Sequence, residues 1–160
     1  MPITNNVTRM LDAKKITYTA HDLPHEKIGA VEAAEIIGVP AGMVYKTIVA
    51  VRPKGGKPVL ALVPGDSELD LKALASALGE KKMTLASHAE AEKLTGLQTG
   101  GISPLALINK GFQVVADASF TQHAQVVISG GQRGINIQLA PGDVVRLVNA
   151  RVAEVAARSE

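Results

Sequence analysis

Cysteine is absent from the 160 residues of this chain. Its absence excludes disulfides, cysteine-based zinc sites and a protein thiol nucleophile, and it fits a reducing cytosol. Aromatic side chains are scarce: Tyr18, Tyr45, Phe112 and Phe120 are too few for a base-stacking surface that grips single-stranded nucleic acid. Charge of one sign is also lacking. The formal net charge is +2, too little to hold nucleic acid by bulk electrostatics, where each neutralised phosphate adds to affinity. An RNA substrate would therefore be held over only a small part of its length. No apolar run approaches the roughly 20 residues that span a membrane. Met1 to Lys15 is polar and amphipathic, without the apolar core of a signal peptide. Metal-ligand spacing is missing too. His21 and His25 are four apart, but Pro24 blocks the helix that would align them. Asp66, Glu68 and Asp70 lack the glycine and distal glutamate of a calcium loop. Gly55-Gly56-Lys57 lacks the spacing of a P-loop. Neither a metal nor a cofactor is expected.

What the chain does have is paired glycines. Gly100-Gly101-Ile102-Ser103-Pro104 and Ser129-Gly130-Gly131-Gln132-Arg133-Gly134 each lie beside an apolar β-like run. Such pairs leave backbone N–H groups uncovered and let another molecule approach the main chain. Two such loops in one small domain fit the walls of an anion- or carbonyl-binding pocket. Each also reads as ordinary structure: a turn entering a helix at Ser103-Pro104, and a hairpin turn at 129–134. Ser129 has no histidine–carboxylate pattern to activate it, and reads as a hydrogen-bonding residue. Lys46 is the third element, the only charge in the stretch from Val39 to Val51. A lysine in an apolar strand must snorkel out or face a site.

The remaining pattern predicts elements. Thr4 caps a first helix. Strands are expected at Ile16 to His21, Met43 to Arg52, Pro58 to Val63, Lys82 to Leu85, Gln113 to Ala116, Gln125 to Ser129 and Ile135 to Leu139. Helices are expected at Gly29 to Ile37, Leu69 to Leu78, from Ser87 to near Gly96, and at Pro141 to Val148; Arg151 to Ala157 is helix or strand. Hairpins interrupted irregularly by helices favour an α+β domain with a mixed sheet over a doubly wound fold. A chain of this length forms one domain and can bury roughly 70% of its unfolded surface.

Lys46-Thr47 in a strand, Gly100-Gly101-Ile102-Ser103-Pro104, and Ser129-Gly130-Gly131 followed by Arg133-Gly134 together resemble the YbaK family, free-standing deacylases related to the editing domain of bacterial prolyl-tRNA synthetase. The resemblance runs over essentially all of residues 1–160. It implies a strongly curved, barrel-like mixed sheet with surrounding helices. It implies hydrolysis of misacylated tRNA in the cytoplasm, Cys-tRNA(Pro) first, with prolyl-tRNA synthetase as a partner and no cofactor or membrane. By analogy Lys46 holds the phosphate or ribose of the terminal adenosine. Gly101 and Ser129 join it in the catalytic set, and Gly100, Ile102, Ser103, Gly130, Gly131, Arg133 and Asn136 bind substrate. The family's free enzymes use the substrate's own cysteinyl thiol, which expels the tRNA and leaves a thiolactone. Two positions depart from the pattern. Leu23 stands where the family often carries tyrosine, and Asn136 where it often carries aspartate. Both bear on amino-acid specificity, so a deacylase for Ala-tRNA(Pro) or another small aminoacyl ester is the nearest rival. A non-catalytic module that binds nucleotides or RNA ends is the rival from another class.

Overall fold

The computed structural model describes residues 3–26 and 28–158. Five short helices are described: α1 (Asn6–Ala13), α2 (Ala30–Ile37), α3 (Leu71–Leu78), α4 (His88–Thr95) and α5 (Pro141–Val148). The strands are β1 (Tyr18–Asp22), β2 (Tyr45–Val51), β3 (Val59–Pro64), β4 (Ser67–Leu69), β5 (Thr84–Leu85), β6 (Gln113–Asp117), β7 (Val126–Ser129), β8 (Ile135–Leu139), β9 (Arg151–Ala153) and β10 (Ala156–Arg158). The ambiguous stretch after α5 is strand, since β9 and β10 each find a partner edge.

The strands divide into three sheets: β5-β2-β3-β6-β9, β1-β8-β7, and the pair β10-β4. The first is mixed, with β2 antiparallel to β3 and β3 parallel to β6. An α+β domain with a mixed sheet is therefore what forms, but barrel-like closure is not. The two larger sheets touch through one isolated bridge, Val44 to Val127. Gly130 and Gly131 turn β7 back into its hairpin with β8 while β2 runs on toward β5, so the ladder stops after that bridge.

β3 is the central strand and is buried throughout. Its alternation serves two cores. Leu60 and Leu62 pack with Phe120, Ile128 and Ile137 between the larger sheets, while Val59 and Val63 pack with Leu74 and Ala75 of α3 on the other face. Each fully buried leucine contributes about 1.5–3 kcal/mol. α1 begins at Asn5, not Thr4. The Asn5 side chain accepts the Thr8 N–H (2.9 Å), and Thr8 Oγ1 accepts the Asn5 N–H (2.8 Å), a reciprocal capping box. Ser87 caps α4 through the Glu90 N–H at 3.1 Å, as its spacing predicts.

Candidate active site

The parting of the two larger sheets creates the site. Past the Val44–Val127 bridge, β2 and β7 diverge around a cleft of about 240 Å³, closed below by the 99–102 loop and on one side by the start of α2. Between that bridge and the Ala50–Leu85 pair, β2 has no strand neighbour on this edge among the described residues. The Ala86 N–H donates to the Val49 carbonyl (3.0 Å), and the Gly65 N–H to the Val44 carbonyl (2.7 Å) on the opposite edge. Main-chain groups alternate between edges along a strand, so those of Thr47 face the cleft. Side chains alternate between faces. Lys46 therefore stands opposite Tyr45 and Thr47, and the cleft wraps the open edge to take lining from both faces.

The structure gathers Lys46, Gly100, Ile102, Ser129 and Asn136 at this cleft. Lys46 is half-buried and its ammonium makes no hydrogen bond or ion pair among the described residues. Asn136 pairs with Ser129 across β7 and β8. The Ser129 hydroxyl accepts the Gly131 N–H (3.3 Å) and bonds to no histidine among the described residues. His21 bonds instead to Gln138 (2.8 Å) and His25 to Asp22 (2.7 Å). No group of three His, Asp or Glu side chains with metal-ligand placement occurs among the described residues.

The other predicted residues build the walls. Gly101 is buried against the second glycine loop: a Cβ there would lie 2.8 Å from the backbone of Gln132 and Arg133. The two loops interlock at that point because nothing larger than hydrogen fits. Arg133 strengthens the lock by donating from Nε to the Thr99 carbonyl (2.8 Å). Glu92 on α4 accepts the Thr99 N–H (2.7 Å), and that bond holds its carboxyl below the usual carboxylate range. Gly130 and Gly131 face away from the cleft, toward a hollow shared with Asn5 and Val7. Ser103 is fully buried, its Oγ accepting the Leu105 N–H (3.1 Å). The helix expected after Ser103-Pro104 is a single 3-10 turn, Pro104–Ala106, so this loop brings no extended helix dipole to the site. The Gly101 N–H is also committed, to the Gln98 carbonyl at 2.7 Å. Within the 99–102 loop, the amides of Gly100 and Ile102 donate no hydrogen bond among the described residues, and both residues line the cleft.

Leu23 is buried beneath this arrangement, its N–H donating to the Gly134 carbonyl (2.7 Å). Sequence reasoning missed Thr99 and Glu92. Their roles come from a loop and a helix brought together by the fold, and no local spacing announces them.

A cleft lined by a lysine and by loop amides without internal partners among the described residues suits an anion or a carbonyl oxygen. Comparison with known proteins supplies the family. Residues 25–147 match the aminoacyl-tRNA editing domain, and the chain belongs to this family. It is 36% identical over 152 residues to EbsC of Enterococcus faecalis, named as a candidate Cys-tRNA(Pro)/Cys-tRNA(Cys) deacylase, covering 94% of this chain and 92% of that one. It is 34% identical over 128 residues to the multifunctional Ser/Thr-tRNA deacylase ProXp-y of Escherichia coli, covering 77% of this chain and 75% of that one. A solved structure described as a candidate trans-editing enzyme for prolyl tRNA synthetase superposes with a TM-score of 0.79 at 25% identity, covering 98% of this chain and 99% of that one. As an enzyme the chain is an aminoacyl-tRNA deacylase.

Proposed function

We propose that this deacylase acts in trans on Cys-tRNA(Pro) in the cytoplasm, using the thiol of its substrate as the nucleophile. The observation that carries this reading is that Lys46 lines the same cleft as Gly100 and Ile102, and that its ammonium and their amides have no hydrogen-bond partner among the described residues. Lys46 neutralises a phosphate of the terminal adenosine or hydrogen-bonds its ribose. The two amides stabilise the oxyanion that forms as the ester carbonyl is attacked. The chain offers no cysteine, and Ser129 has no base, so the cysteinyl thiol attacks its own carbonyl. A C–S bond forms, the ester C–O bond breaks, and the thiol proton ends on the departing ribose oxygen. Water then opens the thiolactone. Intramolecular attack supplies the rate through proximity. Choice of the tRNA body falls to a partner, prolyl-tRNA synthetase.

A second reading has its own support in the neutral side chain of Asn136 at the cleft and the likeness to a Ser/Thr deacylase: an enzyme-positioned water that cleaves several small aminoacyl esters. Assaying one tRNA(Pro) body charged in turn with cysteine, serine or alanine separates the two. Thiol assistance predicts much faster loss of cysteine, and a thiolactone that an added amine intercepts. Equal cysteinyl and seryl rates reject thiol assistance.

A further inference from the structure

The loop that closes the cleft from below contains a four-residue turn, Gln98-Thr99-Gly100-Gly101. The Gly101 N–H closes it on the Gln98 carbonyl at 2.7 Å. Gly100 has a φ of +94° and Thr99 is not among the residues of positive φ, so the turn is type II, with its left-handed residue third. The central peptide of this turn carries the Thr99 carbonyl and the Gly100 N–H. Turning that one plane over, by about 180°, converts type II into type I and keeps the closing bond. Glycine adopts both forms readily, so Gly100 itself does not decide between them.

The deciding contact comes from outside the turn. Arg133 donates from Nε to the Thr99 carbonyl at 2.8 Å. A trans peptide is planar, and its C=O and N–H point opposite ways. Holding the carbonyl toward Arg133 therefore holds the Gly100 N–H away from Arg133. Gly100 lines the cleft and Arg133 is not among its lining residues. That N–H donates no hydrogen bond among the described residues. Glu92 accepts the Thr99 N–H at 2.7 Å and so fixes the preceding peptide. Gly101 is wedged against the backbone of Gln132 and Arg133. Only the central plane is left to turn over, and doing so breaks the Arg133 bond. Resting on the deacylase reading, we propose that Arg133 is a positioning residue. It acts through the Thr99–Gly100 peptide and keeps the Gly100 N–H aimed at the ester carbonyl oxygen. This role differs from the substrate contact that the family resemblance implies for Arg133.

Two separate substitutions should disturb the same plane. Arg133→Met keeps an apolar stem and removes the donor. Gly100→Ala penalises the left-handed φ and favours the type I form. On Cys-tRNA(Pro), each should lower kcat by at least about tenfold, up to the roughly 10²–10³ that loss of an oxyanion donor costs, with KM within about threefold of wild type. Because both act through one peptide, the double variant should be no more than about threefold slower than the slower single variant. Losses that multiply overturn the proposal. A raised KM at unchanged kcat also overturns it, because Arg133 would then bind substrate directly. If Arg133→Met does not melt cooperatively, Arg133→Lys, which lacks the planar fork, takes its place with the same expectations. The free protein gives a readout without substrate. The residual dipolar coupling of the Gly100 amide, scaled against those of the α2 and α3 amides, should change when Arg133 is substituted, and an unchanged coupling overturns the hold of Arg133 on the turn. Wild-type protein that cleaves no cysteinyl ester, but whose Gly100 coupling depends on Arg133, overturns the deacylase reading and leaves that hold standing.

Discussion

Lys46 shows how one residue's setting separates function from stability. It sits in register with Val63 in the β2–β3 ladder, yet its ammonium bonds to nothing among the described residues. Lys46→Ala should abolish deacylation and shift the melting temperature by less than about 2 °C, since no ion pair or buried network is lost. Turnover above a tenth of wild type would remove Lys46 from the chemistry. Gly101 is the opposite case. The space beside it is already filled by Gln132 and Arg133. Gly101→Ala should therefore lower stability and activity together. Overpacking costs about 1–3 kcal/mol, and the shifted loop carries Gly100 and Ile102 with it. A thermal melt beside a deacylation assay tests this, and an alanine variant as stable as wild type would show that the interlock is soft.

Elements were read from the sequence more readily than the contacts between them. β8 and α5 lie where their residues predict, because Ile135-Asn136-Ile137-Gln138-Leu139 alternates cleanly and Pro141 marks a helix start. The first cap was misplaced by one residue because Thr4 and Asn5 both suit it, and only the reciprocal bond with Thr8 decides between them. The cleft was half legible: the glycine loops and Lys46 carry sequence signals, whereas the unpaired edge of β2 and the Glu92–Thr99–Arg133 clasp depend on pairings distant in sequence. The same is true of the anchor for β10. Asp117, at the end of β6, accepts the N–H groups of Val155 and Ala156 (both 2.9 Å) and the Ser119 hydroxyl (2.6 Å), and Ser119 in turn meets the Tyr45 hydroxyl (2.6 Å) on β2. Burial pushes this carboxyl up, but the donated hydrogen bonds outweigh it and hold its pKa below the usual carboxylate value. A depressed folded pKa gives stability that is fully present above the unfolded value of about 3.9 and is lost as pH falls through the folded value. Melting temperatures of wild type and Asp117→Asn should thus differ at neutral pH and converge below about pH 3.9. A gap that stays constant into acid would mean that the carboxylate charge contributes nothing to the anchor.

At the scale of the whole molecule, charge limits what the enzyme recognises. With a net charge of +2 and, among the described residues, one lysine lining the cleft, the proposed function expects contact with one or two phosphates at the acceptor end, and little along the tRNA body. Each phosphate contact to a single strand contributes about −0.7 to the slope of log affinity against log salt. The slope for log kcat/KM should accordingly lie near −1. A tRNA recognised along its length would give a value several times steeper. The same weakness predicts indifference to the tRNA body. The isolated protein should deacylate Cys-tRNA(Pro) and Cys-tRNA(Cys) at rates within about fivefold of each other, because a difference of 1.4 kcal/mol, needed for a factor of ten, has no contacts to supply it. Added prolyl-tRNA synthetase should raise the preference for Cys-tRNA(Pro), since a protein that already holds tRNA(Pro) presents its acceptor end at high effective concentration. Measuring both tRNAs across a salt series, with and without the synthetase, tests these expectations together. A steep slope and strong selectivity in the isolated protein would locate tRNA recognition within this chain and remove the need for a partner.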